Sequence, residues 1–400
     1  MYPVTMFAPL QYVIDAVSDK STDLTVKDIF LHNHNWDRVK FQYRDRLRDV
    51  EVEEVEKMLR CKDSSRGFFL YRCRECGEHY TVHFGCNSRL CTHCGKNYTD
   101  RWAKNLSGKM FTVPHRHVVL SIPDTLWGIV RRHRELFKVL MDSAIQAIND
   151  VFSYRQRKPI LAGAIVVLHP FGRDLKFNPH VHALVTEGGF DTYETFVHQE
   201  HISYTAMRKT WQYQVLTNFK EALPKTPGYA RLIDRLFKEY GEGFYAHLPM
   251  ESRITSKRRI TRYVGRYVRH PAIANYRLCS YDGEQVTFWY EDNDEVRHWK
   301  TMDVEDFILA LIQHVPDRHF KMIRYYGAYC RKWKGRYSEY LEQESIAQAT
   351  LDDFEERWAP RCPRCGSPMQ FVLYWEPPPP EGHAFGSEIN DWNYLAGSSS

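Results

Sequence analysis

The stretch Asn178-Pro179-His180-Val181-His182-Ala183-Leu184-Val185 sets two histidines one apolar residue apart at the head of a run that reads as a buried strand. Successive side chains on a strand alternate faces, so His180 and His182 point one way and Val181 the other, into a core. Two imidazoles on one face of a rigid strand make half of a metal site. His-x-His is a short pattern, and two histidines satisfied by core or solvent fit it as well. His115-Arg116-His117 has the same spacing, but the charged residue between its histidines breaks the in-out alternation of a half-buried strand. What separates the two pairs is a segment well downstream, from Glu251 to Pro271.

Around the histidine strand the chain reads as half of a split βαβ sheet. His117-Val118-Val119-Leu120-Ser121-Ile122 is a first core strand closed by Pro123, and a long helix follows over 127–154. Leu161 to His169 is a second strand, joined through the loop 170–178 to the histidine strand. Helices over 204–223 and 228–240 cover the sheet, and 244–248 adds a strand. Residues 277–281, 285–290 and 297–300 alternate like a small meander, and 303–314 is an amphipathic helix.

The downstream segment runs Arg253-Ile254-Thr255-Ser256-Lys257-Arg258-Arg259-Ile260-Thr261-Arg262-Tyr263-Val264-Gly265-Arg266-Tyr267-Val268-Arg269-His270-Pro271. Thr255 or Ser256 caps a helix that Pro271 ends, which stacks Tyr263 and Tyr267 on one face at i and i+4. Arg253, Lys257, Arg258, Arg259, Arg262, Arg266 and Arg269 make it strongly cationic, with no acid between them, and a phosphate backbone supplies the missing counter-charge. Two tyrosines at helical spacing are by themselves more often packing aromatics. Coupled to a histidine pair they suggest chemistry: a phenol, with a pKa of about 10, needs a nearby cation or base to act as a nucleophile at neutral pH. A divalent ion held by His180 and His182 supplies the cation, and phosphoryl transfer is the reaction that uses both.

Cysteines mark a second kind of site. Cys73-x2-Cys76 and Cys91-x2-Cys94 form two thiolate pairs with the spacing of a closed tetrahedral zinc site. Cys61, His83 and Cys86 remain as candidates for a second site or as alternative ligands, so one zinc ion or two can be held. Cys362-Pro363-Arg364-Cys365-Gly366 looks like one knuckle of a zinc ribbon without a second pair after it.

The net charge is +5, with 43% hydrophobic and 14% aromatic residues and ten cysteines in 400 residues, which describes folded domains with real cores. Closely spaced cysteines in a chain this long point to metal ligation in a reducing compartment, and no apolar run reaches the length of a membrane span. A cytoplasmic, nucleoid-associated protein is the expectation. No G-x-x-x-x-G-K-[ST] occurs, so strand separation falls to a host helicase or to supercoiling.

The pairing of Pro179-His180-Val181-His182 with Tyr263-x3-Tyr267 resembles the HUH single-strand nucleases of the two-tyrosine class. The wider layout resembles the rolling-circle transposases of the insertion sequence 91 family. It includes the cysteine-rich segment, Phe171-Gly172-Arg173-Asp174-Leu175 before the histidines, Ile273-Ala274 after the tyrosines, and His319 to Gly327; the likeness runs from about Cys61 to Gly327. Asn178 is a departure, since relatives often carry a histidine there.

The resemblance implies an α+β fold: an HUH nuclease core, a split βαβ antiparallel sheet flanked by helices, with an N-terminal cysteine-rich zinc-binding module. It makes Tyr263 and Tyr267 the nucleophiles and His180 and His182 ligands of Mg2+ or Mn2+. Asp174 is the first candidate for a third ligand, His270 the alternative, and a plain turn cap the bland reading of Asp174. The implied partners are single-stranded DNA and the hairpin or single-stranded features of element ends, and the sequence sets no oligomeric state. The expected organisation is a helical arm over 1–60, a zinc-binding DNA-contact module over 61–108, the endonuclease domain over 109–300, a helical extension over 301–358, and a Cys-x2-Cys knuckle with an extended tail over 359–400. Transposition through 5′-phosphotyrosine intermediates is the expected function. A plasmid or phage replication initiator with the same chemistry, and a non-catalytic zinc-dependent DNA-binding regulator, are its rivals.

Overall fold

A computed structural model describes residues 24–107, 110–248, 253–254, 271–292, 294–340 and 360–377. The expected tyrosine helix, with Tyr263, Tyr267, His270 and the cationic residues from Lys257 to Arg269, lies outside the described residues. For Arg253 only the backbone is described.

In chain order the elements begin with α1 (Val26–Leu31), α2 (Asn35–Gln42), α3 (Asp49–Leu59), β1 (Phe68–Cys73), β2 (His79–His83) and α4 (Thr92–Ser107). There follow β3 (His115–Ser121), α5 (Trp127–Arg132), α6 (Leu136–Gln156), β4 (Gly163–Phe171), β5 (Phe177–Thr186), and the short β6 (Gly188–Phe190) and β7 (Phe196–His198). After α7 (Tyr204–Ala222) and α8 (Pro227–Glu239) come β8 (Ala246–His247), β9 (Arg253–Ile254), β10 (Leu278–Tyr281), β11 (Gln285–Glu291) and β12 (Arg297–Asp303). The last are α9 (Val304–Ile312), β13 (Ile323–Gly327) and β14 (Met369–Trp375). Among the described residues no helix is long and apolar enough to cross a membrane.

Two compact units result, one of Met1–Leu59 and Cys86–Ser345, the other of Arg60–Gly85 and Ile346–Ser400. Residues 61–85 therefore group with the C-terminal segment instead of forming one module that runs to 108.

The larger unit is built on an antiparallel sheet in the order β13-β4-β5-β3-β8, with β9 also pairing β3. Val118 and Leu120, Ala164, Val166 and Leu168, and Val181, Ala183 and Val185 alternate onto one face, where they meet Leu140, Ala144 and Ile148 of α6 and Trp211 and Val215 of α7 in the main core. On the other face Ile165, Val167 and Leu184 pack with Phe111, Ala328 and Tyr329 in a second core. Each fully buried Val, Leu or Ile contributes about 1.5–3 kcal/mol, so β4 and β5, covered on both faces, are a rigid base. The expected single helix over 127–154 is two, because His133 leaves helical dihedrals (φ −111°, ψ 77°) between α5 and α6. Its Nε2 is held 2.9 Å from the hydroxyl of Tyr229.

Two expectations about the sheet change. Its edge strand β13 comes from beyond residue 300, past the span expected for the endonuclease domain, because Ile323 to Gly327 pair with Val167 to Gly163. The first strand begins at His115, so the His115-Arg116-His117 pair, set aside for its central charge, lies on it. Arg116 is buried all the same, because Glu187, itself fully buried, pairs with its guanidinium (Nε to Oε1, 3.0 Å). The meander forms its own sheet, β10-β11-β12, with α9 and the helices α1 and α2 beside it; Asn35 Nδ2 donates to the hydroxyl of Tyr281 on β10 at 2.6 Å.

Candidate functional site

Antiparallel register puts the histidines together. His182 lies opposite Val119 of β3 and Val167 of β4, and His180 lies opposite Ser121 and His169. Residues directly opposite one another share a face, so His169, His180, His182 and His117 all project from the same side of the sheet. One ligand atom each of His169, His180 and His182 lies within 4.8 Å of the others. They open into a pocket of about 650 Å³ that Arg173, Asp174 and Arg277 also line.

Hydrogen bonds set the direction of each ring. His180 Nδ1 lies 2.7 Å from the carbonyl of Asn178, to which it donates, so its Nε2 lone pair faces the pocket. His182 Nδ1 lies 2.9 Å from Nε2 of His117, and Nε2 of His180 and of His182 are 3.1 Å apart. Two nitrogens each about 2.0–2.1 Å from one ion sit about 3.0–3.4 Å apart, so this pair fits adjacent positions on a metal. Burial keeps both rings neutral: desolvation pushes the pKa of His180 below its ordinary value, and that of His182 well below it, the latter helped by His169, His180, His117 and Arg173. A neutral imidazole is the ligand form. His117 is held down to about 3 by burial and then by His247 and His180.

The sequence reads the third imidazole, His169, only as the end of a strand. Asp174 stands in the hairpin turn between β4 and β5. Its Oδ1 accepts from the backbone N–H of Lys176 (3.2 Å) and its Oδ2 lies 3.3 Å from Lys176 Nζ, the geometry of a turn cap. It lines the pocket but is not one of the gathered groups. The turn is fixed from outside: Lys300 Nζ donates to the carbonyl of Asp174 (2.9 Å), His314 Nε2 to that of Leu175 (3.2 Å), and Arg173 Nη1 to that of Glu291 (3.0 Å).

The cysteines fall into different groups from the single four-thiol site expected of Cys73, Cys76, Cys91 and Cys94. Cys91 and Cys94, at the start of α4, gather with Cys86, whose sulfur is 3.7 Å from that of Cys94; all three are buried. Cys73 and Cys76 lie instead with Cys362 and Cys365, because β14 brings the C-terminal pair alongside β1. His83 packs edge-on against Phe68 and joins neither group. Cys61, half-buried, belongs to the smaller unit.

Comparison with known proteins bears on both sites. Residues 163–336 match a family described as "Putative transposase", and residues 31–122 match one described as "Transposase zinc-binding domain". The transposase for insertion sequence element IS801 of Pseudomonas savastanoi pv. phaseolicola is 31% identical over 343 residues, covering 80% of each chain. "Putative transposase y4qJ" of Sinorhizobium fredii is 24% identical over 340 residues, covering 76% of this chain and 84% of that one. No solved structure matches.

Proposed function

The chain belongs to the insertion sequence 91 family of transposases, and from that premise we propose that it moves its element by metal-dependent cleavage and rejoining of single-stranded DNA. The observation that carries the reading is the trio His169, His180 and His182, convergent at one open pocket of a rigid sheet. They fit a divalent ion, with His169 rather than Asp174 as third ligand. When bound, that ion withdraws charge from a phosphate oxygen and orients the phosphodiester.

In this reading Tyr263 or Tyr267 attacks the phosphorus. The Oη–P bond forms, the P–O3′ bond breaks, and the phenolic proton ends on the departing 3′ oxygen. The 5′-phosphotyrosine conserves the phosphodiester, so rejoining needs no ATP. A second tyrosine four residues along the chain lets one 5′ end be held while another strand is attacked, which suits rolling-circle movement. Arg253, Lys257, Arg258, Arg259, Arg262, Arg266 and Arg269 would neutralise the phosphates of the bound strand. Element ends would be read by shape and stacking, with duplex opening left to a host helicase.

The chain carries a zinc-binding domain, and we assign one ion of it to Cys86, Cys91 and Cys94.

The test is incubation of the protein with labelled single strands from its own element ends, with and without Mg2+ or Mn2+, followed by a denaturing gel. A metal-dependent covalent adduct that disappears in the Tyr263→Phe/Tyr267→Phe double variant is the expected result. Tight binding of the ends with no adduct would leave a non-catalytic DNA-binding regulator instead.

A further inference from the structure

The zinc-binding domain matched at residues 31–122 contains Cys73-x2-Cys76, yet among the described residues that pair meets its complement at the other end of the chain. We propose that Cys73, Cys76, Cys362 and Cys365 hold one structural zinc ion, so that the C-terminal knuckle is half of a zinc ribbon whose other half is N-terminal.

The two knuckles are built alike. In Cys73-Arg74-Glu75-Cys76-Gly77-Glu78 the amide of Cys73 donates to the carbonyl of Glu78 (2.8 Å) and that of Gly77 to the carbonyl of Cys73 (3.1 Å). In Cys362-Pro363-Arg364-Cys365-Gly366-Ser367 the amide of Cys362 donates to the carbonyl of Ser367 (2.9 Å) and that of Gly366 to the carbonyl of Cys362 (2.9 Å). Gly77 and Gly366 take nearly the same left-handed conformation, φ +75° and +76°, which a side chain would strain. Each turn thus presents two thiols from one tight loop, and the two loops face each other: Cys73 Sγ is 3.4 Å from Cys365 Sγ, and Cys76 Sγ is 3.6 Å from Cys362 Sγ. Four sulfurs about 2.3 Å from one tetrahedral zinc lie about 3.8 Å apart, so these spacings suit that ion. None of the four is in a disulfide.

The surroundings give the ion a reason to be there. β14 runs directly on from the second knuckle and pairs antiparallel with β1, from Cys73 opposite Met369 to Phe68 opposite Trp375, while β1 also pairs β2. Among the described residues the apolar centre of this sheet is Cys73, Cys362 and Met369, with Tyr71 and Cys76 against them. A core that small does not hold three strands from distant parts of a chain without a staple. Four thiolates close the coordination sphere, so the ion is structural, with no open position for a substrate.

Zinc content of the full chain, measured by elemental analysis, tests the assignment. Cys362→Ser/Cys365→Ser is expected to lose one equivalent, Cys73→Ser/Cys76→Ser the same one, and the fourfold variant no more than one in total. An unchanged zinc content in Cys362→Ser/Cys365→Ser would overturn the proposal. Because these variants can misfold, wild-type protein is also alkylated while zinc is withdrawn by a chelator, and the modified cysteines are identified by mass spectrometry. Cys73, Cys76, Cys362 and Cys365 are expected to become reactive together, in a phase distinct from Cys86, Cys91 and Cys94. Immediate alkylation of Cys362 and Cys365 in zinc-loaded protein would rule the composite site out.

Discussion

His117 and His182 meet edge to edge, centroids 5.1 Å apart and planes 9° from parallel, with Nε2 of His117 2.9 Å from Nδ1 of His182. For His182 to offer its Nε2 lone pair to an ion, Nδ1 must carry the proton and donate it to His117. His117 is then a positioning residue, which selects the tautomer and fixes the ring of a ligand it adjoins. His117→Ala is predicted to weaken Mn2+ binding about 10–100-fold. A titration of Mn2+ against the variant checks this, and an unchanged affinity would show that the contact is only packing.

His169 and Asp174 compete as third ligand, and the geometry favours the imidazole. His169→Ala should abolish metal-dependent adduct formation as fully as His180→Ala. Asp174→Asn, which keeps the turn cap to Lys176, should retain metal affinity within about threefold, a change of less than about 1 kcal/mol. The reverse ranking would restore Asp174 as the ligand.

The donor set also predicts metal preference. Three imidazoles present nitrogen only, whereas Mg2+ favours oxygen and keeps its waters. At equal concentration Mn2+ should give faster adduct formation than Mg2+, and single-turnover rates in the two ions decide it.

Arg116 and Glu187 form a buried ion pair, 2% and 0% exposed, with His198 Nε2 a further 3.2 Å from the second carboxylate oxygen. Removing one partner strands the other charge, so Glu187→Gln is predicted to cost about 3–5 kcal/mol in urea unfolding. Replacing both, as Arg116→Met/Glu187→Leu, should cost much less.

His314 gives a pH dependence. Its Nε2 donates to Leu175, its Nδ1 is buried without a partner among the described residues, and burial, with Arg134 and Arg131 nearby, holds its pKa down at about 3. In the unfolded chain it protonates near about 6.5, so the unfolded state binds the extra proton between those values and stability falls as pH drops through that window. His314→Gln keeps a donor for Leu175 and removes the titration. Its melting temperature, compared with the native chain at about pH 7.5 and about pH 5, should fall less on acidification.

Periodicity sufficed for the scaffold. Alternation in Val181 to Val185 and the apolar run from Val118 to Leu120 located the central strands, the three- and four-residue spacing from Leu136 to Ile148 located α6, and the turn residues bounded them. Those are local signals, carried by neighbours in the chain. The histidine pair was legible for the same reason, since the two-residue repeat of a strand places His180 beside His182 whatever else the chain does.

What the sequence alone determined was therefore the pair, the strands and the Cys-x2-Cys turns; what the tertiary structure decided was which of them meet. β4 and β5 keep one register from Ala164 opposite Val185 to His169 opposite His180, and it becomes irregular only beyond His169, before Phe171 opposite Phe177. A one-residue slip of that register would set His169 opposite Pro179 and turn it away from the face of His180 and His182, so strand pairing decides that the three meet. The burial of Arg116 likewise depends on Glu187, and the partner of Cys73 on Cys365, residues that no local pattern connects. Sequence spacing encodes which face a side chain takes; only strand pairing and chain return fix what that face meets.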